Sequence, residues 1–308
     1  MVKTRRFSCV TKAFLVTASC TCLLAGGCDT GFTPKTDFEP RLVVYAVLDP
    51  SAGCQVVRLA RSYDAEITAP PVPLTSKEVA SAAVSIECGG HEEVFHDTTV
   101  SLRGGGAERV WICRDLVPEA DKQYTLRVTV DGFPAVATTI QAPGRLYPTI
   151  QFVSYADTST VLTVQPGNAG MRHLPYGTYY RMWIVLRSVD GGVEKRAEVP
   201  ISVDFVSGTR VFPSPTRNLT AAFPKNCIRV VHDELTGTDT TTYVKQILLQ
   251  AYAMDSRFYM YYKTVRGFED PRSIRIDHPN LSFVEGGYGV FGIVIPDSAR
   301  FNYHTFIH

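Results

Sequence analysis

No stretch of this 308-residue chain has the roughly 20 consecutive apolar residues that a membrane-spanning helix needs. The catalytic signatures that sequence alone can show are missing too. There is no GxSxG elbow, no phosphate-binding GxxxxGK[ST] loop and no SxxK, so none of those chemistries is written in the chain. No basic run or stripe follows residue 27, and from Cys28 onward 27 basic residues face 30 acidic ones. That balance speaks against nucleic-acid binding, which needs a concentrated positive surface. Tryptophan is scarce, with 2 residues, whereas 15 Tyr and 16 Phe supply the aromatic content, a composition suited to half-buried sheet faces. Cysteine is present but unpaired in pattern. Cys54, Cys88, Cys113 and Cys227 follow Cys28 with no CxxC or other zinc-like spacing, so no metal centre and no cofactor is expected.

The first residues are organised as an export signal. Lys3, Arg5 and Arg6 are a positive leader, and Ala13 to Gly27 is an uncharged, mostly apolar and small-residue stretch. Those are the parts of a cleavable signal peptide. Ala25-Gly26-Gly27-Cys28 resembles a bacterial lipobox, so Cys28 is the expected lipidation site. A rival acceptor is Cys20, but the apolar run before it, Ala13 to Val16, is short for a signal core. The plainer alternative is a cleaved signal with an unmodified Cys28. Each acyl methylene buried in a bilayer contributes about 0.8 kcal/mol, and stable anchoring takes two or more chains. A lipoprotein cysteine bears three, which makes the attachment permanent. The expected organisation is a signal peptide over 1–27 and a lipidated tether over 28–40. An immunoglobulin-like β-sandwich over 41–143 and a second β-rich domain over 144–308 follow.

The sandwich expectation comes from short strands separated by turn chemistry. Leu42 to Leu48 is a continuous apolar run, Asp49-Pro50-Ser51-Ala52-Gly53 is a turn, and Val57 and Leu59 alternate with Arg58 and Ala60. Val84, Ile86 and Cys88 alternate with polar neighbours, as do Tyr124, Leu126, Val128 and Val130 before Asp131-Gly132. Strands at such spacing suggest an immunoglobulin-like sandwich, with a barrel as the alternative. In the second half, Tyr179 to Leu186 is nearly continuous and fits a central strand covered on both faces. Ile228 to His232 and Tyr243 to Met254 are expected as strands, and 211–223 as loop. One helix is expected near 255–267. Phe258, Tyr261, Tyr262 and Val265 fall at i, i+3, i+4 and i+7, Asp255 is a good N-cap, and Gly267 can end it. Its aromatic stripe reads as core packing.

Several stretches together resemble a known family. They are the lipobox cysteine, Arg41-Leu42-Val43-Val44-Tyr45-Ala46-Val47-Leu48, then Val57-Arg58-Leu59-Ala60-Arg61-Ser62-Tyr63, the late aromatic helix, and Glu285-Gly286-Gly287-Tyr288-Gly289-Val290-Phe291-Gly292. In this order they resemble the Bacteroidota lipoproteins catalogued as domain of unknown function 4249. The resemblance implies a lipid-anchored envelope protein, often encoded beside outer-membrane receptors dependent on TonB. It implies no catalytic residues.

Four local patterns carry candidate chemistry. Cys88 and Cys113 end two strands of one small sheet and are the candidate disulfide, which an exported chain permits; buried free thiols are the alternative. His91-Glu92-Glu93-Val94-Phe95-His96 has its histidines five apart on an extended segment, not at the i, i+4 of a zinc helix. Gly287 to Gly292 matches GxGxxG by letter, but the strand that follows cannot supply the helix that a dinucleotide site requires. A glycine strand with a close neighbour is the expected reading. Asp97-Thr98-Thr99, Asp239-Thr240-Thr241 and Asp297-Ser298-Ala299 match a short glycosylation pattern of Bacteroidota exported proteins. The expected function is therefore a non-enzymatic, lipid-anchored module of the outer membrane, facing either the periplasm or the surface. It would bind a receptor or an extracellular ligand. A surface hydrolase acting on glycan or peptide, and a structural subunit of a surface assembly, are the alternatives.

Overall fold

The computed structural model describes residues 39–62, 79–101, 106–154, 160–167, 172–188, 194–237, 243–269 and 282–303. Cys28, the expected signal peptide and nearly all of the expected tether lie outside these residues.

Seven strands open the fold: β1 (Leu42–Leu48), β2 (Gln55–Arg61), β3 (Ala83–Cys88), β4 (His91–Ser101), β5 (Ala107–Cys113), β6 (Gln123–Thr129) and β7 (Val136–Gln141). Alternation sets their faces. Leu42, Val44, Ala46, Val57 and Leu59 are fully buried, and Ile86, Leu126 and Val128 meet them in the same core. Strand β1 pairs with β2, and β2 with β5. Strand β3 pairs with β4 and β6, and β6 with β7. Strand β4 serves both sheets, because His91 to Phe95 pair with β3 while His96 to Ser101 pair with β5. Three strands thus face four across a shared core, the arrangement of an immunoglobulin-like sandwich.

Tyr124, near the start of β6, adds a second mark of that fold. Its hydroxyl accepts the Glu119 backbone N–H at 2.6 Å, closing the tyrosine corner of such sandwiches. Burial pushes its pKa well up. Leu126, two residues on, is fully buried where antibody domains carry a disulfide cysteine.

The second half contains β8 (Pro148–Ser154), β9 (Thr160–Pro166), β10 (Gly177–Ser188) and β11 (Glu194–Glu198), then the short β12 (Ser202–Val203), β13 (Arg210–Val211) and β14 (Ala221–Pro224). Helix α1 (Lys225–Thr236), β15 (Tyr243–Met254), α2 (Ser256–Glu269) and β16 (Tyr288–Asn302) complete it. Strands β11-β10-β15-β16 form one sheet and β14-β9-β8 another. Strand β10 is central and pairs along its whole length with β15. Ile184 and Val185 are both fully buried, as expected for a strand covered on two faces.

The expected strand at Ile228 to His232 is instead the middle of helix α1. Ile228, Val231 and Leu235 lie at i, i+3 and i+7 and turn toward the core, a helical period that a five-residue window hides. Gly237, at φ 54°, ends the helix, and its N–H donates to the Asp233 carbonyl at 2.9 Å. The fold is mainly β with two helices among the described residues. Helix α2 begins where expected, and Asp255 Oδ1 accepts the N–H groups of Arg257 (2.8 Å) and Phe258 (3.3 Å).

The loop at 143/144, where a boundary between two bodies is expected, lies between β7 and β8. The sheet nevertheless runs across it. The first part of β16 lies parallel to β1, from Val43 opposite Tyr288 to Leu48 opposite Ile293. The second part is antiparallel to β15, starting from Met254 opposite Val294. Strand β16 therefore changes partner at Ile293, and an 11-stranded sheet runs through the protein. Asp255 sits at that change. Its Oδ2 accepts the Ile293 N–H at 2.5 Å, and its own N–H donates to the Ile293 carbonyl at 3.2 Å. The chain from Pro40 onward packs as one unit.

Candidate binding groove

Strand alternation that buries Leu42, Val44 and Ala46 must point Val43, Tyr45 and Val47 the other way. These outward residues are only half-buried. They form part of the floor of a groove of about 810 Å³ on the outer face of β2-β1-β16, within the size range of small-molecule sites. Ala60 of β2 and Val290 of β16 extend the floor. The outward position beside Val47 is Gly292, and the Phe258 Cβ lies 2.6 Å from where a Gly292 Cβ would stand. Helix α2 can pack directly on β16 because no side chain intervenes. That packing stands Tyr261 as a wall over the floor.

Three tyrosines and a set of arginines give the groove its chemistry. Tyr45 and Tyr261 meet with centroids 6.1 Å apart and planes at 58°. Burial, and then the neighbouring Tyr45, push the Tyr261 pKa up. Arg58 lies over the Tyr45 ring at 6.0 Å and pairs with Glu108. Arg41 lies over the Tyr288 ring at 5.6 Å, and Arg61, at the mouth, over Phe133 at 5.7 Å. Cations over aromatic faces are favoured electrostatically. Among the described residues Glu108 is the one acid paired with any of these three arginines.

The residues singled out by sequence lie elsewhere or outside the described residues. Cys28 is one of the latter. Cys88 and Cys113, like Cys54 and Cys227, are free thiols here. Both face the sandwich core. His91 pairs with Cys88 of β3 while His96 pairs with Ile112 of β5, and no cluster of three metal-ligating side chains occurs among the described residues. A smaller cavity of about 330 Å³ beside β4 and β5 includes His96, Asp97, Cys113 and Asp115. The GxGxxG look-alike is a strand, as expected. At Gly289, with φ +105°, a Cβ would stand 2.0 Å from the Val44 carbonyl oxygen. Tyr261, expected as core packing, is half-buried and lines the groove. The groove was missed because its residues come from three distant segments. The available hint was Tyr45 on the outward face of an otherwise aliphatic strand.

A second aromatic surface lies on the outer face of β10 and β15, where Tyr179 stacks on Tyr252 at 5.6 Å. Trp183 has Arg181 and Arg196 over its ring at 4.8 and 5.3 Å. Arg181 also grips Glu198 through two hydrogen bonds, 2.8 and 2.6 Å. These rings already have partners within the fold, so this surface reads as packing.

No curated protein matches this chain. Among solved structures, the two fibronectin type-III domain segment from chicken tenascin is similar at 12% identity. The match covers 71% of this chain and 93% of that one, with a TM-score of 0.16. At that score the likeness carries no argument, and the sandwich rests on its strand pairing. A family match spans residues 29–300, nearly the whole described body, and by it the chain belongs to the family described as Domain of unknown function (DUF4249).

Proposed function

We propose that this protein is a lipid-anchored component of the bacterial cell envelope, held in the outer membrane through Cys28. It acts there as a binding or accessory module for an outer-membrane receptor or an extracellular ligand. The observation that carries the binding part is the groove, an apolar floor with tyrosine walls and an arginine rim on the outer face of the β1 sheet. Concave, mostly apolar sites with a few convergent polar groups are the usual form of small-ligand sites. The anchor part is supported by the lipobox-like Ala25-Gly26-Gly27-Cys28 and by the family. Exchanging Cys28→Ser in the full chain, followed by fractionation, tests the anchor: the variant moves from the membrane to the soluble fraction. Crosslinking and purification from solubilised membranes tests the partner, with a TonB-dependent receptor expected among the recovered proteins. A Cys28→Ser protein that stays membrane-bound overturns the anchor, and recovery of no outer-membrane protein overturns the accessory role.

A further inference from the structure

We infer that the groove takes an anionic amphiphile, a hydrocarbon body ending in one carboxylate, with the body on the valine floor and the carboxylate at Arg58. This rests on reading the groove as a binding site.

The floor decides the body. Val43, Val47, Ala60 and Val290 are aliphatic, and beside the arginines the hydrogen-bonding side chains of the lining are the hydroxyls of Tyr45, Ser62, Tyr261 and Tyr288. Strand β1 presents no backbone partner, because it is paired on one side with β2 and on the other with β16. A bound peptide or sugar would bring more amides or hydroxyls than these few hydroxyls can pair, and burying such groups unpaired is unfavourable. Strand addition by a peptide onto β1 is blocked by the same pairing, since it needs an open sheet edge. A hydrocarbon body loses nothing there and gains from leaving water.

The rim decides the head. Arg58 stands half-exposed at the groove, held over Tyr45 and beside Glu108. Arg41, fixed over Tyr288, adds a second guanidinium, and neither it nor Arg61 has an acidic partner among the described residues. An arginine fork suits a carboxylate better than a neutral head. The tyrosine walls give the body flat faces to pack on.

The test uses the full chain carrying Cys28→Ser, with decanoate, decanol and the tripeptide Leu-Leu-Phe as probes in isothermal titration calorimetry. Decanoate is expected to bind about tenfold more tightly than decanol, the factor that one charge-assisted contact commonly gives. Added salt reduces that ratio. Arg58→Gln brings decanoate down to the level of decanol. Ala60→Phe, which fills the floor, removes binding of both, with the melting temperature checked alongside. The double variant Arg41→Gln/Arg58→Gln leaves the floor intact and serves if Ala60→Phe fails to fold. Equal binding of decanoate and decanol, no binding of decanoate, or tighter binding of the tripeptide overturns the inference. None of these results bears on the anchor, which is read from Cys28 fractionation alone.

Discussion

The seam between β1 and β16 is the place where a single methyl group has the clearest consequence. Gly289 lies opposite Val44 in the parallel ladder, with φ +105°. A Cβ built there stands 2.0 Å from the Val44 carbonyl oxygen and 2.9 Å from its carbon. Both are backbone atoms of a fully paired strand, so neither can swing aside as a side chain could. Gly289→Ala therefore meets two penalties. A side chain at positive φ adds roughly 1–2 kcal/mol of strain. Relieving the overlap means forcing β16 away from β1, an overpacking effect of about 1–3 kcal/mol. The sum, roughly 2–5 kcal/mol, is a large part of the 5–15 kcal/mol typical of a whole fold. The assay is thermal unfolding followed by circular dichroism, where that loss lowers the midpoint by roughly 4–10 °C for a chain of this size.

The control is Gly53→Ala in the β1–β2 turn. Nothing lies within 4 Å of its added Cβ and its φ is not in the left-handed range. Surface changes of that kind fall within about 0.5 kcal/mol of wild type. If Gly289→Ala also falls within about 1 kcal/mol, the close approach of β16 to β1 is wrong, and the joining of the two halves through this ladder goes with it.

Four further outcomes are expected. Asp255→Ala removes the acceptor for three backbone N–H groups at the start of α2 and at Ile293, and about 2–4 kcal/mol of stability goes with it in urea unfolding. Burial raises the Asp255 pKa against the pull of those donors and of Arg257. The native state then holds this proton more tightly than the unfolded chain, so the cost of the charge is present at neutral pH. It is relieved as pH falls through the raised pKa toward about 3.9, the unfolded value. Wild type should gain stability relative to Asp255→Asn as pH is lowered from 7 to 4, and a loss relative to that variant over the same range contradicts the raised value. Tyr124→Phe leaves the Glu119 N–H without its acceptor, a loss of about 1–3 kcal/mol measured the same way; a change under about 0.5 kcal/mol would mean the corner is decorative. Cys88 and Cys113 should both alkylate after unfolding without reductant. Cys88 lies opposite His91, whereas Cys113 adjoins Ile112, the partner of His96. About four steps along β4 therefore part them, roughly 13 Å, too far for a disulfide's Cα span of about 4.4–6.8 Å. A Cys88–Cys113 peptide in mass spectrometry refutes this.

Local structure was legible wherever one period dominated. The alternation in Val57 and Leu59 or in Tyr124, Leu126 and Val128 gave strands and their inward faces. Helix α2 was legible from its i, i+3, i+4 spacing and from Asp255. Helix α1 was not, because Ile228 and Val231 flank Arg229 and Val230 in a run too short to separate a strand from a helix. The decisive residue was Leu235, one turn further on. The parallel pairing of β1 with β16 has no local signal at all. Its trace in the sequence is the glycine set at Gly287, Gly289 and Gly292, which records where another backbone or α2 comes close without naming the neighbour. The groove was illegible for the same reason. Tyr45, Arg58, Tyr261 and Tyr288 are unremarkable singly, and only the fold brings them together.

That assembly ties the proposed activity to the architecture. Tyr45 and Arg58 belong to the first half of the chain, Tyr261, Tyr288 and Val290 to the second, and all five line one groove. The floor of the groove is the β1–β16 seam itself, since Tyr45 and Val290 are partners in that ladder. A ligand lying across them binds only when the strands are paired. Its binding free energy is therefore added to the seam, about 2.7 kcal/mol when the ligand is at a hundred times its dissociation constant. The Gly289→Ala protein separates the two ways the groove could be built. If the groove depends on the seam, this variant binds decanoate more weakly although no groove-lining side chain has changed, and decanoate recovers part of its lost melting temperature. If β1 and helix α2 hold the groove without β16, affinity stays at the wild-type level while stability falls. The pairing of Tyr45 with Val290 favours the first result.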